Sequence, residues 1–243
     1  MRIISTSSKT EMSRVAAEIL AAQIKNKPHS ILGLATGGTP VGVYKNLSAM
    51  YASGSLDFSA VKTVNLDEYV GLNADNVNSY HFYMKKNLFD HINIPPQNTH
   101  IPNGAAEDMN AECKAYDRII ASLGAADIQL LGIGLNGHIG FCEPCEEFFT
   151  STSVIRLSDS TIQANSVYYR DISMVPRQAI TMSVKQIMAA KQILLIADGP
   201  EKRGILEKAL GGSITPKIPA SLLQLHQNVI VVESTGMNLS IAS

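Results

Sequence analysis

Four short stretches of this 243-residue chain carry side chains able to hold an anion or move a proton. The first is Ala35-Thr36-Gly37-Gly38-Thr39-Pro40. Two glycines let the backbone approach a ligand, and a helix beginning after them offers unpaired N–H groups, so the turn suits a phosphate. It fits neither the G-x-x-x-x-G-K-S/T loop nor G-x-G-x-x-G, which argues against a nucleoside triphosphate or a dinucleotide. A tight strand-to-helix turn with an ordinary cap accounts for the same residues. The second stretch, Asn65-Leu66-Asp67-Glu68-Tyr69, sets two acids at a strand end. A carboxylate there can act as base toward a proton beside a carbonyl; a helix cap or a solvated turn explains an Asp-Glu pair equally simply.

The third stretch, from Gly134 to Glu143, surrounds His138 with Gly134, Gly137 and Gly140. Such a loop aims the imidazole into a cleft, with Glu143 expected to fold back on it and fix its tautomer. The alternative is a histidine capping a glycine-rich turn. Cys142 and Cys145 form a C-x-x-C around that acid. A zinc site needs two more ligands, and a thioredoxin-like motif needs a different context, so two free thiols are expected. The fourth stretch places Lys202 just after Gly199-Pro200. A cation on a first helical turn opposes the helix dipole unless an anion lies close; a surface lysine is the alternative. His81, His91, His100 and His226 have no constellation around them in the sequence.

These stretches share one context: each follows an apolar run that reads as a buried strand. The runs are Ile31 to Ala35, Val61 to Leu66, Ile128 to Ile133 and Ile193 to Ala197, with a late strand at Val229 to Val232. Between them, helical patterns are expected after Pro40, with Thr39 as N-cap, from about Asn78 to Phe89, from Asp108 to Leu123, and up to Gly211-Gly212. Alternation of strand and helix predicts a single α/β domain over residues 1–243, an open, mostly parallel, Rossmann-like sheet with helices on both faces. Ligands of such sheets bind outside the carboxyl ends of the strands, where Gly37, Asp67, His138 and Lys202 would converge.

Composition narrows the function classes. A net charge of −1 gives no global field for nucleic acid or anionic lipid. No apolar run approaches a membrane span, and the polar start is unlike a secretory signal. Three cysteines fit a reducing compartment, so a cytoplasmic protein is expected. The nine methionines are scattered and read as core filling.

The motifs Leu34-Ala35-Thr36-Gly37-Gly38-Thr39-Pro40, Asn65 to Leu72 and Gly134 to Phe141 together resemble glucosamine-6-phosphate deaminases. The likeness runs in order through Ser79-Tyr80, Pro102-Asn103-Gly104, Ala164-Asn165 and Pro219-Ala220-Ser221. Phosphogluconolactonases share the fold but usually carry Asp-Gly-His-Thr in the last loop, whereas here Ile139 follows His138. The resemblance implies isomerisation and deamination of glucosamine 6-phosphate to fructose 6-phosphate and ammonia. It implies Asp67 as the base between C2 and C1, His138 as the ring-opening residue, Glu143 as its supporting acid, and Asn136 where some members have Asp. It implies Thr36, Gly37, Gly38, Thr39 and Lys202 as the phosphate cradle, with no metal and no organic cofactor.

Four positions depart from the family pattern. Cys142 and Cys145 replace the usual Asn and Gly, Ser153 stands where His is common, and Val167 stands where an arginine usually binds phosphate. A charge-assisted hydrogen bond contributes about 1.5–3 kcal/mol, so Arg170 is a candidate substitute ligand. The departures leave open the same chemistry on galactosamine 6-phosphate, or a catalytically weak sugar-phosphate sensor. Family members occur as monomers and as allosteric hexamers. The short stretch after the last expected strand, ending at Ser243, favours a monomer or small homo-oligomer, and charge and hydropathy point to no nucleic-acid or membrane partner.

Overall fold

The computed structural model describes residues 1–236; the segment ending at Ser243 lies outside the described residues. Ten strands are present among them: β1 (Arg2–Ser5), β2 (Ile31–Leu34), β3 (Lys62–Asn65), β4 (Asp67–Tyr69), β5 (Thr99–His100), β6 (Ile128–Leu131), β7 (Ser153–Arg156), β8 (Gln178–Thr181), β9 (Ile193–Asp198) and β10 (Val229–Ser234). Seven of them form one sheet in the order β1-β10-β9-β6-β2-β3-β5, every neighbouring pair parallel. The inner strands are continuous apolar runs because both faces are covered: every residue of β6 is buried, as are the first five of β9.

The helices are α1 (Lys9–Asn26), α2 (Val41–Ala52), α3 (Tyr80–Asn87), α4 (Met109–Leu123), α5 (Asp159–Asn165), α6 (Val184–Met188) and α7 (Arg203–Gly211). α1 packs on β9, β10 and α2. Val43, Tyr44 and Leu47 of α2, Tyr116 of α4 and Leu206 and Ala209 of α7 join the same core as the sheet. Most helices start where a short polar side chain takes up a free N–H: Ser8 caps α1, Ser79 α3, Asp108 α4 and Ser158 α5. α2 differs. Pro40, not Thr39, is its N-cap residue, and no side chain caps it. The expected Thr39 cap is therefore displaced by one residue, and the first turn of α2 keeps its N–H groups open.

The five expected strands fall within a residue or two of their predicted limits. A second, three-stranded antiparallel sheet, β4-β8-β7, was not foreseen. It stands at the carboxyl end of β3 and has its own small core of Tyr69, Phe141, Leu157, Ile162, Val175 and Ala179. No helix among the described residues is long and apolar enough to cross a membrane.

Candidate active site

Chain order reverses between β2 and β6: β3 and β5 lie to one side of this pair, β9 and β10 to the other. Such a switch point opens a crevice at the carboxyl ends of the strands. A cavity of about 290 Å³ lies there, lined by Ala35 to Pro40 after β2, Asp67 after β3, Gly132 to Asn136 and His138 after β6, and Lys202 after β9. Ser160, Thr161, Ala164 and Asn165 of α5 and Tyr80 of α3 also line it. All four sequence stretches thus meet in one place.

Asp67 is 4% exposed at the start of β4. Burial, and then the negative charge of Glu68, push its carboxyl up to about 8; the Phe141 N–H offsets this in part. Glu68 is fully buried and turns away from the cavity to bind the N–H groups of Tyr69 at 2.8 Å, Tyr80 at 2.9 Å and His81 at 3.0 Å. It also meets His81 Nδ1 at 3.0 Å. His81, without a partner in the sequence reading, is therefore part of an anchor tying the start of α3 to the strand that carries Asp67. The signal was available: Ser79-Tyr80-His81 opens a helix, and a carboxylate suits a helix N-terminus.

His138 does not rest on Glu143 directly, as the sequence suggested. Its Nδ1 lies 2.7 Å from Asn136 Oδ1 and 3.8 Å from Glu143 Oε2. Asn136 Nδ2 donates to Glu143 Oε2 at 2.8 Å, and Ser158 Oγ donates to the same oxygen at 3.0 Å. An ionised carboxylate only accepts, so Glu143 turns the amide of Asn136 with Oδ1 toward the imidazole. Nδ1 then carries the proton, and Nε2 is the basic nitrogen. Burial lowers the imidazole's proton affinity; Glu143 raises it and Lys202 lowers it, with a net fall that favours the neutral ring.

The loop after β2 is open in the sense that matters for an anion. Among the described residues, no acceptor meets the N–H groups of Thr36, Gly37, Gly38 or Thr39. Gly37 has φ +96°, a conformation that favours glycine. Lys202 sits at the start of α7 with its ammonium against the Ile133 carbonyl, and burial lowers its proton affinity. It is the one lysine or arginine among the lining residues.

Arg170 does not join them. Val167 is 76% exposed on a 3-10 turn, Ser166–Tyr168, and Tyr169 then packs inward against Tyr69. The next residue, Arg170, is left exposed and outside the cavity lining. Cys142 is buried with Sγ against the Met182 carbonyl at 3.1 Å, so its thiol faces the core. The sequence reading also missed Tyr80, Ser160 and Thr161 as wall residues, since hydroxyl side chains on a helix carry no distinctive spacing.

The profile of the family described as glucosamine-6-phosphate isomerases/6-phosphogluconolactonase matches residues 6–232. A glucosamine-6-phosphate deaminase of Lachnoclostridium phytofermentans is 54% identical over 232 residues, covering 96% of this chain and 98% of the relative. One from Clostridium perfringens is 52% identical, with 96% of each covered. The solved structure of a monomeric glucosamine-6-phosphate deaminase superposes with a TM-score of 0.94 at 47% identity, over 96% of this chain and 97% of the other. A 6-phosphogluconolactonase from Trypanosoma cruzi, at a TM-score of 0.77 and 21% identity over 98% and 97% of the chains, shares the fold. With the profile spanning nearly its whole length and two deaminases more than half identical to it, the chain belongs to the glucosamine-6-phosphate isomerase/6-phosphogluconolactonase family, among its deaminases.

Proposed function

We propose that the protein isomerises and deaminates glucosamine 6-phosphate, giving fructose 6-phosphate and ammonia. The observation that carries this reading is the meeting of a buried, weakly acidic Asp67, a neutral His138 and an open N–H cradle in one crevice. The phosphate dianion is held by the loop Thr36 to Thr39 and by Lys202. His138 Nε2 takes the proton of the anomeric hydroxyl and returns it to the ring oxygen, which opens the sugar to its aldehyde. Asp67 then removes the C2 proton and delivers it to C1, while a proton of the amino group passes to O1, leaving a C1 hydroxyl and an imine at C2. Water hydrolyses that imine to the ketone and ammonia. A carboxyl poised near 8 both accepts and returns a proton near neutral pH, as a shuttle must.

One departure from the family pattern bears on how the phosphate is held. Position 167 offers no cation and Arg170 stands outside the cavity lining, so the phosphate is gripped by fewer charges than the family pattern provides. A different epimer, galactosamine 6-phosphate, is the alternative substrate. Ammonia release measured on glucosamine, galactosamine and mannosamine 6-phosphates and on unphosphorylated glucosamine separates the readings. The main reading expects the highest kcat/KM on glucosamine 6-phosphate, with fructose 6-phosphate as product. A higher value on the galacto epimer selects the alternative. Ammonia from none of them overturns both.

A further inference from the structure

Four tyrosines surround the loop after β2, and each meets a different residue of it. The Tyr44 hydroxyl donates to the Ala35 carbonyl at 2.5 Å, and the Tyr83 hydroxyl donates to the Gly37 carbonyl at 2.7 Å. The Tyr80 phenol interacts with the side chain of Thr36. The Tyr168 hydroxyl lies 3.0 Å from the place a Cβ on Gly38 would occupy.

In a planar trans peptide unit the C=O and the following N–H point in opposite directions. Fixing the Gly37 carbonyl therefore fixes the Gly38 N–H on the other side. Tyr83 belongs to a second, aromatic cavity of about 280 Å³ and not to the first, whereas Gly38 lines both. The carbonyl is thus drawn toward the tyrosine side and the Gly38 N–H is turned toward the cavity that holds Asp67 and His138.

This peptide unit needs such a fixture. It is flanked by two glycines, so no Cβ biases its plane, and the reversed orientation would present a carbonyl oxygen to the bound anion. Burial, then the nearby Tyr168, keep the Tyr83 phenol above its ordinary range, so it remains a donor. Its helix α3 is itself anchored by Glu68 through the N–H groups of Tyr80 and His81. One element therefore connects the strand end that carries Asp67 to the phosphate loop.

We propose that Tyr83 is a positioning residue for phosphate recognition, its hydroxyl locking the Gly37–Gly38 peptide with the N–H facing the substrate. The proposal rests on reading Thr36 to Thr39 as the phosphate cradle. It acts on binding rather than on proton transfer, so the two can be told apart.

The test compares the parent with Tyr83→Phe, which keeps the ring and removes the donor. KM for glucosamine 6-phosphate and the Kd for inorganic phosphate, the latter by calorimetry, are expected to rise together by about 5- to 20-fold, as loss of an ordered anion contact would give. kcat should change less than about twofold. Unchanged phosphate affinity overturns the proposal, and so does a fall in kcat with KM unchanged. Should a Phe variant be poorly folded, Tyr83→Trp, which offers an N–H from a different place, must also weaken phosphate binding; parental affinity in that variant overturns the lock. If the parent releases no ammonia from any amino-sugar phosphate, the proposed function fails, while the calorimetric comparison still decides the role of Tyr83.

Discussion

Asn136 is the side chain on which His138 depends most directly. It stands between the imidazole and Glu143, touching both, while the carboxylate lies 3.8 Å from Nδ1, beyond hydrogen-bond reach. Glu143 acts by orienting the amide, and Ser158 holds that carboxylate in turn. Removing the amide cuts the contact and the relay together, whereas Glu143→Gln leaves the amide in place. Asn136→Ala is therefore expected to lower kcat by about 10- to 100-fold, more than Glu143→Gln, with a smaller change in KM. Steady-state kinetics on both variants check the ranking, and a larger loss from Glu143→Gln would show that the acid reaches the imidazole itself. The sequence put all three residues in one loop but could not order them. Their order depends on Gly137 at φ +87° and Gly140 at φ +55°, backbone turns that any glycine permits and none dictates.

At the scale of the element, the loop after β6 is built around the absence of a side chain. A Cβ on Gly134 would lie 2.2 Å from His138 Cε1 and 2.3 Å from Nδ1, and the Gly134 N–H pairs with the His138 carbonyl at 2.9 Å. The loop thus folds the imidazole back over Gly134. Gly134→Ala must displace the ring, so kcat/KM is expected to fall at least about tenfold while the far-ultraviolet circular dichroism stays parental. Parental kcat/KM would mean that the ring has room to move and still work. The strands that position such loops were legible because parallel strands buried on both faces read as apolar runs, as β6 and β9 do. β4 was not legible: Asp-Glu-Tyr is a poor strand sequence, and it becomes one by pairing with β8 and by the hydrogen bonds that bury Glu68.

For the whole molecule, the switch point between β2 and β6 decides where the chemistry sits, and it places one ionisable group where ionisation opposes folding. Asp67 titrates at about 8 in the fold and near 3.9 in an unfolded chain. The folded state therefore binds the extra proton across that interval. The stability that goes with the protonated carboxyl is full below about pH 4 and is lost progressively as pH rises to about 8. At pH 7 the ionisation penalty is at most about 4 kcal/mol by the usual conversion, and Glu68, buried beside it, is the second cause. Asp67→Asn keeps the shape and an acceptor for the Phe141 N–H but has no charge to bury. This variant is expected to lose deamination and to melt higher than the parent. The gap should be small at pH 4 to 5, widen to several degrees by pH 8, and level off above it. Melting temperatures of both proteins across pH 4 to 9 provide the measurement. A gap independent of pH, or a variant less stable than the parent at pH 8, would show that Asp67 is not the strained group its burial makes it.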